Sequence, residues 1–108
     1  MRYTRTEIAR RIKPVAEKYG LPQVYLFGSY ARGDADESSD IDLLVETNGS
    51  SVLSAFDEGS LFAELRDALN YDIDMLSADA LAEHLDLPAK RAFYDTVNQE
   101  KVLLYEKC

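Results

Sequence analysis

Two pairs of aspartates are the residues of this sequence best suited to chemistry. Asp40 and Asp42 are separated by one isoleucine, and so are Asp72 and Asp74. Because the side chains of a β-strand alternate between its faces, each pair would present both carboxylates on one face. Neighbouring carboxylates repel each other unless a cation lies between them, and Mg²⁺ prefers oxygen ligands and also takes phosphate oxygens from a substrate. If the strands that carry the two pairs are neighbours in the sheet, three of these carboxylates around two metal ions would form a phosphoryl-transfer centre.

Each pair has a simpler interpretation, and the third carboxylate has two candidates. Taken alone, an Asp-x-Asp pair is better explained as two surface acids on a solvated strand edge. For the third carboxylate we prefer Asp74, because Ile73 and the apolar residues 75–76 bracket it within a predicted strand. Asp72 lies nearer the start of that strand, where solvent reaches it, and stays the rival candidate.

A glycine–serine pair precedes the first aspartate pair by ten residues. Gly28 and Ser29 follow the apolar segment 23–27 and precede a possible short helix that Gly33 ends. Glycine permits a sharp turn and the close approach of a ligand. Backbone N–H groups at the start of a helix attract phosphate, and the Ser29 hydroxyl adds a donor. The pair is common in loops, so it indicates a phosphate site only together with the aspartates.

Hydrophobic periodicity predicts the elements that position these residues. Apolar runs predict strands at 23–27, 41–45 and 72–76, and a strand or a docked coil at 102–105. Thr4 and Glu7 predict a capping box for a first helix. The element order favours an α/β or α+β fold, with a small mixed sheet of three to four strands and helices packed on it. We expect a single domain over residues 1–108.

The last two predicted helices depend on weaker apolar patterns. Ser77 can cap a helix that carries Leu81 and Leu85 on its apolar side. A further helix is predicted to open at Pro88, with the apolar residues Ala92, Phe93 and Val97 facing inward.

Composition limits the classes of partner. The 108 residues carry a net charge of −8, so a basic nucleic-acid footprint is absent and direct nucleic-acid binding is disfavoured. No apolar run is long enough to span a membrane, and the N-terminal residues lack the apolar segment of a signal peptide. The single cysteine, Cys108, cannot form an intrachain disulfide. These features predict a cytoplasmic protein.

The chemical motif resembles that of a known superfamily. Phe-Gly-Ser-Tyr-Ala-Arg-Gly at 27–33, followed by Ser-Asp-Ile-Asp-Leu-Leu-Val at 39–45, resembles the signature of the polymerase-β-type nucleotidyltransferases, in particular the minimal nucleotidyltransferase (MNT) branch. The resemblance implies the nucleotidyltransferase core, a mixed sheet with helices on one side. The residues to which it assigns roles are Asp40, Asp42 and Asp74 as Mg²⁺ ligands, Gly28 and Ser29 at the nucleotide phosphates, and Arg32 in support of the loop or at a phosphate. It also implies that Asp74 helps to activate the nucleophile.

The same resemblance implies a function and a partner. Stand-alone MNT proteins are commonly encoded beside a HEPN-domain RNase toxin, and transfer AMP from ATP to a tyrosine of that toxin. We therefore expect an antitoxin that uses ATP and two Mg²⁺ ions and forms a hetero-oligomer with a HEPN toxin. Two alternatives stay open: transfer to a small-molecule hydroxyl, as in aminoglycoside nucleotidyltransferases, and neutralisation of a toxin by binding alone.

Overall fold

The computed structural model describes residues 3–107, so Cys108 lies outside the described residues. Its centre is a four-stranded sheet of order β3-β2-β1-β4. The strands are β1 (Gln23–Phe27), β2 (Ile41–Glu46), β3 (Ile73–Ser77) and β4 (Val102–Glu106). β1 runs antiparallel to β2 and β4, whereas β2 and β3 are parallel. The predicted small mixed sheet is confirmed, and the segment left open as strand or coil is the edge strand β4.

The described residues also form five helices, of which the first precedes β1. They are α1 (Arg5–Tyr19), α2 (Ser29–Arg32), α3 (Ala55–Leu69), α4 (Ala78–Leu81) and α5 (Pro88–Glu100). The predicted capping box is confirmed, since the Thr4 side chain accepts from the backbone N–H of Glu7 and the Glu7 side chain accepts from that of Thr4. Gly20 ends α1 in the left-handed conformation, with φ of 67°. This conformation favours glycine.

Helices α1 and α3 close one face of the sheet over the main core. Ile8 and Ile12 of α1 meet Leu61 and Leu65 of α3, and all four are fully buried. Alternate residues of the strands point into the same core, as Leu43 does from β2. The alternation follows from the two-residue period of a strand, so the next residue, Leu44, faces the other way.

The opposite face carries a smaller cluster under α4 and α5. Phe27 and Leu44 of the sheet pack there with Leu81 of α4 and Val97 of α5. The expectation of helices on one side of the sheet was therefore wrong, because the last two helices fold back over the second face. No helix within residues 3–107 is long and apolar enough to cross a membrane.

Predictions for the last two helices were partly wrong. α4 ends at Leu81, and Leu85 lies beyond it in a turn. Val97 is buried in α5 as expected, but Ala92 and Phe93 are exposed. The Phe93 ring still meets the Phe27 ring edge-on, with centroids 6.4 Å apart. α5 thus contacts the sheet along a narrower stripe than the apolar pattern predicted.

Candidate active site

The parallel pairing of β2 and β3 sets two aspartates side by side. Asp42 pairs in register with Asp74, just as Ile41 pairs with Ile73. The sheet therefore brings Asp74 to Asp42. Both aspartates are two residues from leucines of the smaller cluster, Leu44 and Leu76, so they belong to the face that α4 and α5 cover.

The pKa of Asp42 is raised by its burial and by the carboxylates close to it. Asp42 is partly buried, whereas Asp74 is exposed. Burial first, and then the negative charges of Asp74 and Asp40, raise the pKa of Asp42 to about 6 from an ordinary 3.8. A hydrogen bond with the Asp74 carboxyl adds to this rise in pKa, and the positive charge of Arg32 opposes it. Like charges held this close favour protonation or the binding of a cation.

Asp72, the rival third carboxylate, lies elsewhere. It precedes β3, and its side chain is 74% exposed and pairs with Arg66 at 3.3 Å. Its backbone carbonyl accepts a hydrogen bond from the N–H of Ile41 at 3.1 Å, so the main chain of Asp72 helps to align the two strands. The register thus favours Asp74 over Asp72 as the carboxylate beside Asp42.

Gly28 turns the chain directly against Asp42. Phe27, the last residue of β1, is opposite Asp42 in the sheet, and Gly28 follows with φ of 73° and ψ of −153°. A Cβ atom at Gly28 would overlap the Oδ2 atom of Asp42. Glycine is therefore needed here for two reasons: its backbone conformation is one that other residues rarely adopt, and the carboxylate leaves no room for a side chain.

The turn after Gly28 is closed by backbone hydrogen bonds between residues close together in the sequence. The carbonyl of Gly28 accepts from the N–H groups of Ala31 and Arg32 at 3.1 and 3.0 Å. The carbonyl of Ser29 accepts from those of Gly33 and Asp34 at 2.9 and 3.1 Å. Ser29 itself is partly buried at the start of the four-residue helix α2. The predicted strand–turn–helix context of the glycine–serine pair is confirmed.

Arg32 is held by two carboxylates. Its Nε atom lies 3.2 Å from Asp34 and its Nη1 atom 3.2 Å from Glu100. Hydrogen bonds to Asp34 and then Glu100 raise the pKa of Arg32 above its ordinary value. Glu100 also accepts from the backbone N–H of Gly28 at 3.2 Å. Glu100 was not predicted as a functional residue, because it is 72 residues from Gly28 and has no motif around it.

The donor set is suited to a hard divalent cation. Asp42 and Asp74 are adjacent in the register, and the charge of Asp40, just before β2, acts on Asp42. Within residues 3–107, no group of three histidine, cysteine, aspartate or glutamate side chains is arranged as a metal cage. Mg²⁺ usually binds through one or two carboxylates with substrate phosphates and water, so a carboxylate pair fits this ion. The assignment of the three aspartates as ligands stays a prediction.

Comparisons with known proteins show which family this chain is similar to. The family model described as "Polymerase beta, Nucleotidyltransferase" matches residues 10–107. A Methanocaldococcus jannaschii protein named "putative protein adenylyltransferase" is 41% identical over 76 residues, which cover 69% of this chain and 78% of that protein.

Two solved structures share the fold. One, described as a putative minimal nucleotidyltransferase, is 30% identical, with a TM-score of 0.66 over 87% of this chain and 88% of its own. The other, from a toxin–antitoxin crystal structure with AMP-PNP, is 25% identical, with a TM-score of 0.67 over 92% of this chain and 73% of its own. The overall fold of this chain is thus shared with both structures. The family model covers residues 10–107, so the chain belongs to the polymerase β nucleotidyltransferase family.

Proposed function

We propose that this protein is an antitoxin that transfers AMP from ATP to a tyrosine of a cognate HEPN RNase toxin, and so neutralises it. The observation that carries the proposal is the pairing of Asp42 with Asp74 under the Gly28 turn. This arrangement has the carboxylates of a phosphoryl-transfer centre beside a turn that a phosphate chain can approach. The similar protein adenylyltransferase and toxin–antitoxin structure support a protein acceptor and an adenine nucleotide donor.

In the proposed reaction, the tyrosine oxygen of the toxin attacks the α-phosphorus of ATP. A new P–O bond forms, the bond to the β-phosphate oxygen breaks, and pyrophosphate leaves. Asp74 helps to activate the hydroxyl, whose proton passes to a carboxylate of the site or to water. Bound Mg²⁺ would neutralise phosphate charge and lower the pKa of the attacking hydroxyl.

Each predicted residue has a role in this reaction. Asp40, Asp42 and Asp74 would bind Mg²⁺. Gly28 and Ser29 would approach the phosphates through the backbone of the turn and the Ser29 hydroxyl. Arg32 supports the turn through its ion pairs with Asp34 and Glu100, and its charge is close enough to lower the pKa of Asp42.

The surface supports a protein acceptor. Leu53 and Phe56, beside the start of α3, are 85% and 82% exposed. Contiguous exposed apolar side chains mark many protein–protein contact sites, and we propose that these two residues belong to one. The net charge of −8 would complement a basic partner. We therefore expect a hetero-oligomer with the toxin.

The decisive experiment measures the intact mass of the cognate HEPN protein after incubation with this protein, ATP and Mg²⁺. We expect AMP adducts on the toxin, and we expect them to be lost when EDTA removes the metal. In the labelled peptide, the added mass of AMP should lie on a tyrosine. Asp42→Asn together with Asp74→Asn should slow labelling by about a thousandfold, because the metal contributes several kcal/mol to the transition state.

Asp72→Asn is the control, because it makes the same Asp-to-Asn change at a nearby carboxylate that pairs with Arg66 instead. It should label at the wild-type rate within about twofold, since exposed ion pairs contribute little. Undiminished labelling by the double variant would refute the site. AMP transfer to free hydroxyl compounds without the toxin would favour a small-molecule acceptor. Toxin neutralisation by the double variant would favour binding alone.

A further inference from the structure

Glu100, the last residue of α5, reaches the glycine turn from a distant part of the chain. Its side chain is only 19% exposed. One carboxylate oxygen accepts from the backbone N–H of Gly28 at 3.2 Å. Nη1 of Arg32 lies 3.2 and 3.3 Å from the two carboxylate oxygens. A single carboxylate thus contacts both the first residue of the turn and the residue that ends α2.

These contacts hold Gly28 between two carboxylates with different roles. The Cα of Gly28 faces Asp42, where a Cβ would overlap the Oδ2 atom. Its N–H group is bonded to Glu100. The hydrogen bonds to the Gly28 carbonyl come from the turn itself, whereas the bond from the Gly28 N–H to Glu100 ties the turn to an element outside it.

The helix that carries Glu100 is itself anchored to the sheet. Val97, one turn before Glu100, is 1% exposed and packs with Phe27 and Leu44. The backbone N–H of Lys101 closes the helix onto the Val97 carbonyl at 2.9 Å, and β4 begins at the next residue. Glu100 therefore lies where a packed helix joins a strand, and its position is well determined.

The charge of Glu100 is balanced locally. A partly buried carboxylate close to Gly28 would repel a nucleotide phosphate if it were unpaired. The guanidinium of Arg32 pairs with it, and the hydrogen bonds to a charged acceptor are of the stronger kind. The Arg32–Glu100 pair carries no net charge of its own, although Arg32 also pairs with Asp34.

We propose that Glu100 is a positioning residue for the nucleotide. Its carboxylate holds the Gly28 backbone and the Arg32 guanidinium, so that the Gly28–Ser29 turn stays above the Asp42–Asp74 pair. ATP then meets a turn that is already ordered and loses less free energy in ordering it. This inference rests on the proposed nucleotidyltransferase function and assigns the turn a support that the motif does not contain.

The test compares Glu100→Ala with Glu100→Gln in the full chain. Alanine removes both contacts, whereas the glutamine amide oxygen can still accept from Gly28 but carries no charge for Arg32. Glu17→Gln is the control, because Glu17 is an exposed residue of α1 and the substitution removes the same charge. We expect the Kd for ATP with Mg²⁺ to rise about tenfold in the alanine variant and less in the glutamine variant. The KM for ATP should rise in the same order, with a smaller change in kcat.

A second measurement needs no nucleotide. Hydrogen exchange of the Gly28 amide, followed by NMR, should be faster in Glu100→Ala than in the wild type and close to wild type in Glu100→Gln. Exchange in the β2 amides should not change, which would separate a loosened turn from general destabilisation. If the alanine variant fails to fold, the glutamine variant and Glu100→Asp, whose side chain is one methylene shorter, provide the same comparison.

The outcomes separate this proposal from the proposed function. A Kd for ATP in Glu100→Ala that equals the control, or is lower than it, would overturn the positioning role; a lower value would mean that the carboxylate competes with phosphate. Wild-type protein that binds ATP but labels no toxin would overturn the proposed acceptor, while a raised Kd in Glu100→Ala would still support Glu100. Gly28 exchange equal in all variants would also overturn the positioning role, whatever the activity.

Discussion

The two faces of the sheet differ in what covers them. Helices α1 and α3 seal one face with fully buried side chains such as Ile12 and Leu61. The other face has a small cluster around Leu44 under α4 and α5, and it also carries Asp42 and Asp74. We infer that the first face contributes most of the stability, whereas the second face combines limited packing with chemistry.

This division has a physical reason. A charged carboxylate is costly to bury without a partner, so the end of the sheet that carries the acids cannot be sealed by apolar helices. The strand alternation forces the choice: when Leu43 faces the sealed core, Asp42 and Leu44 face the other side. Along β2, a residue that stabilises the main core therefore lies directly beside one that belongs to the candidate site.

The largest expected effect is on the free energy of unfolding, and it compares two buried leucines on helices that cover opposite faces of the sheet. Leu61→Ala in α3 should lower the free energy of unfolding by about 3–5 kcal/mol, because the surrounding core cannot collapse into the cavity. Leu81→Ala in α4 should cost about 2 kcal/mol, because its cluster is small and close to solvent. Urea denaturation of both variants measures the difference. A larger cost at Leu81 would reverse the comparison.

A smaller effect, on activity, is expected from Gly28→Ala. The new Cβ would displace Asp42 or the turn, and AMP transfer should fall about a hundredfold, as for a misplacement of about 1 Å. Gly20→Ala is the control, because φ there is also positive, at 67°, and a Cβ would meet nothing within 4 Å. It should lower thermal stability through strain alone and leave the rate per folded molecule unchanged. Equal rate losses in both variants would mean that strain, and not Asp42, is responsible.

The smallest effect concerns the stability of the metal-free protein. Because burial and the charges of Asp74 and Asp40 raise the pKa of Asp42 to about 6, the folded state favours its protonated form. This contribution to stability is complete below about pH 4 and is lost as the pH rises through about 6. At pH 8, Asp42→Asn should therefore be more stable than the wild type by roughly 1–2 kcal/mol.

Denaturant unfolding at pH 4 and pH 8 in EDTA checks this prediction. The stability gain of Asp42→Asn should shrink towards zero at pH 4, and Mg²⁺ should stabilise only the protein that keeps Asp42. Asp72→Asn, which loses an exposed pair with Arg66, should show no comparable gain at pH 8. Lower stability of Asp42→Asn at pH 8 would contradict the crowding of the carboxylates.

Local patterns were sufficient for the features that depend on neighbours in sequence. The capping box of Thr4 and Glu7, the strand around Asp42 and the turn at Gly28 all follow from residue types within a few positions, and the structure has each of them. The pattern failed for Phe93, which it predicted to face inward. Whether a helical residue is buried depends on which partner the helix meets, and α5 meets only one narrow part of the sheet.

The sequence by itself determined the family motif, the alternation that sets Asp42 apart from Leu43, and the need for glycine before Ser29. Tertiary structure alone decided that Asp74, and not Asp72, is beside Asp42, because the parallel register of β2 and β3 selects the partner. It also decided that Glu100 supports the Gly28 turn across 72 residues. Both contacts join segments that are remote in the chain. The parallel register of β2 and β3 brings Asp74 to Asp42, and the packing of α5 on the sheet brings Glu100 to Gly28.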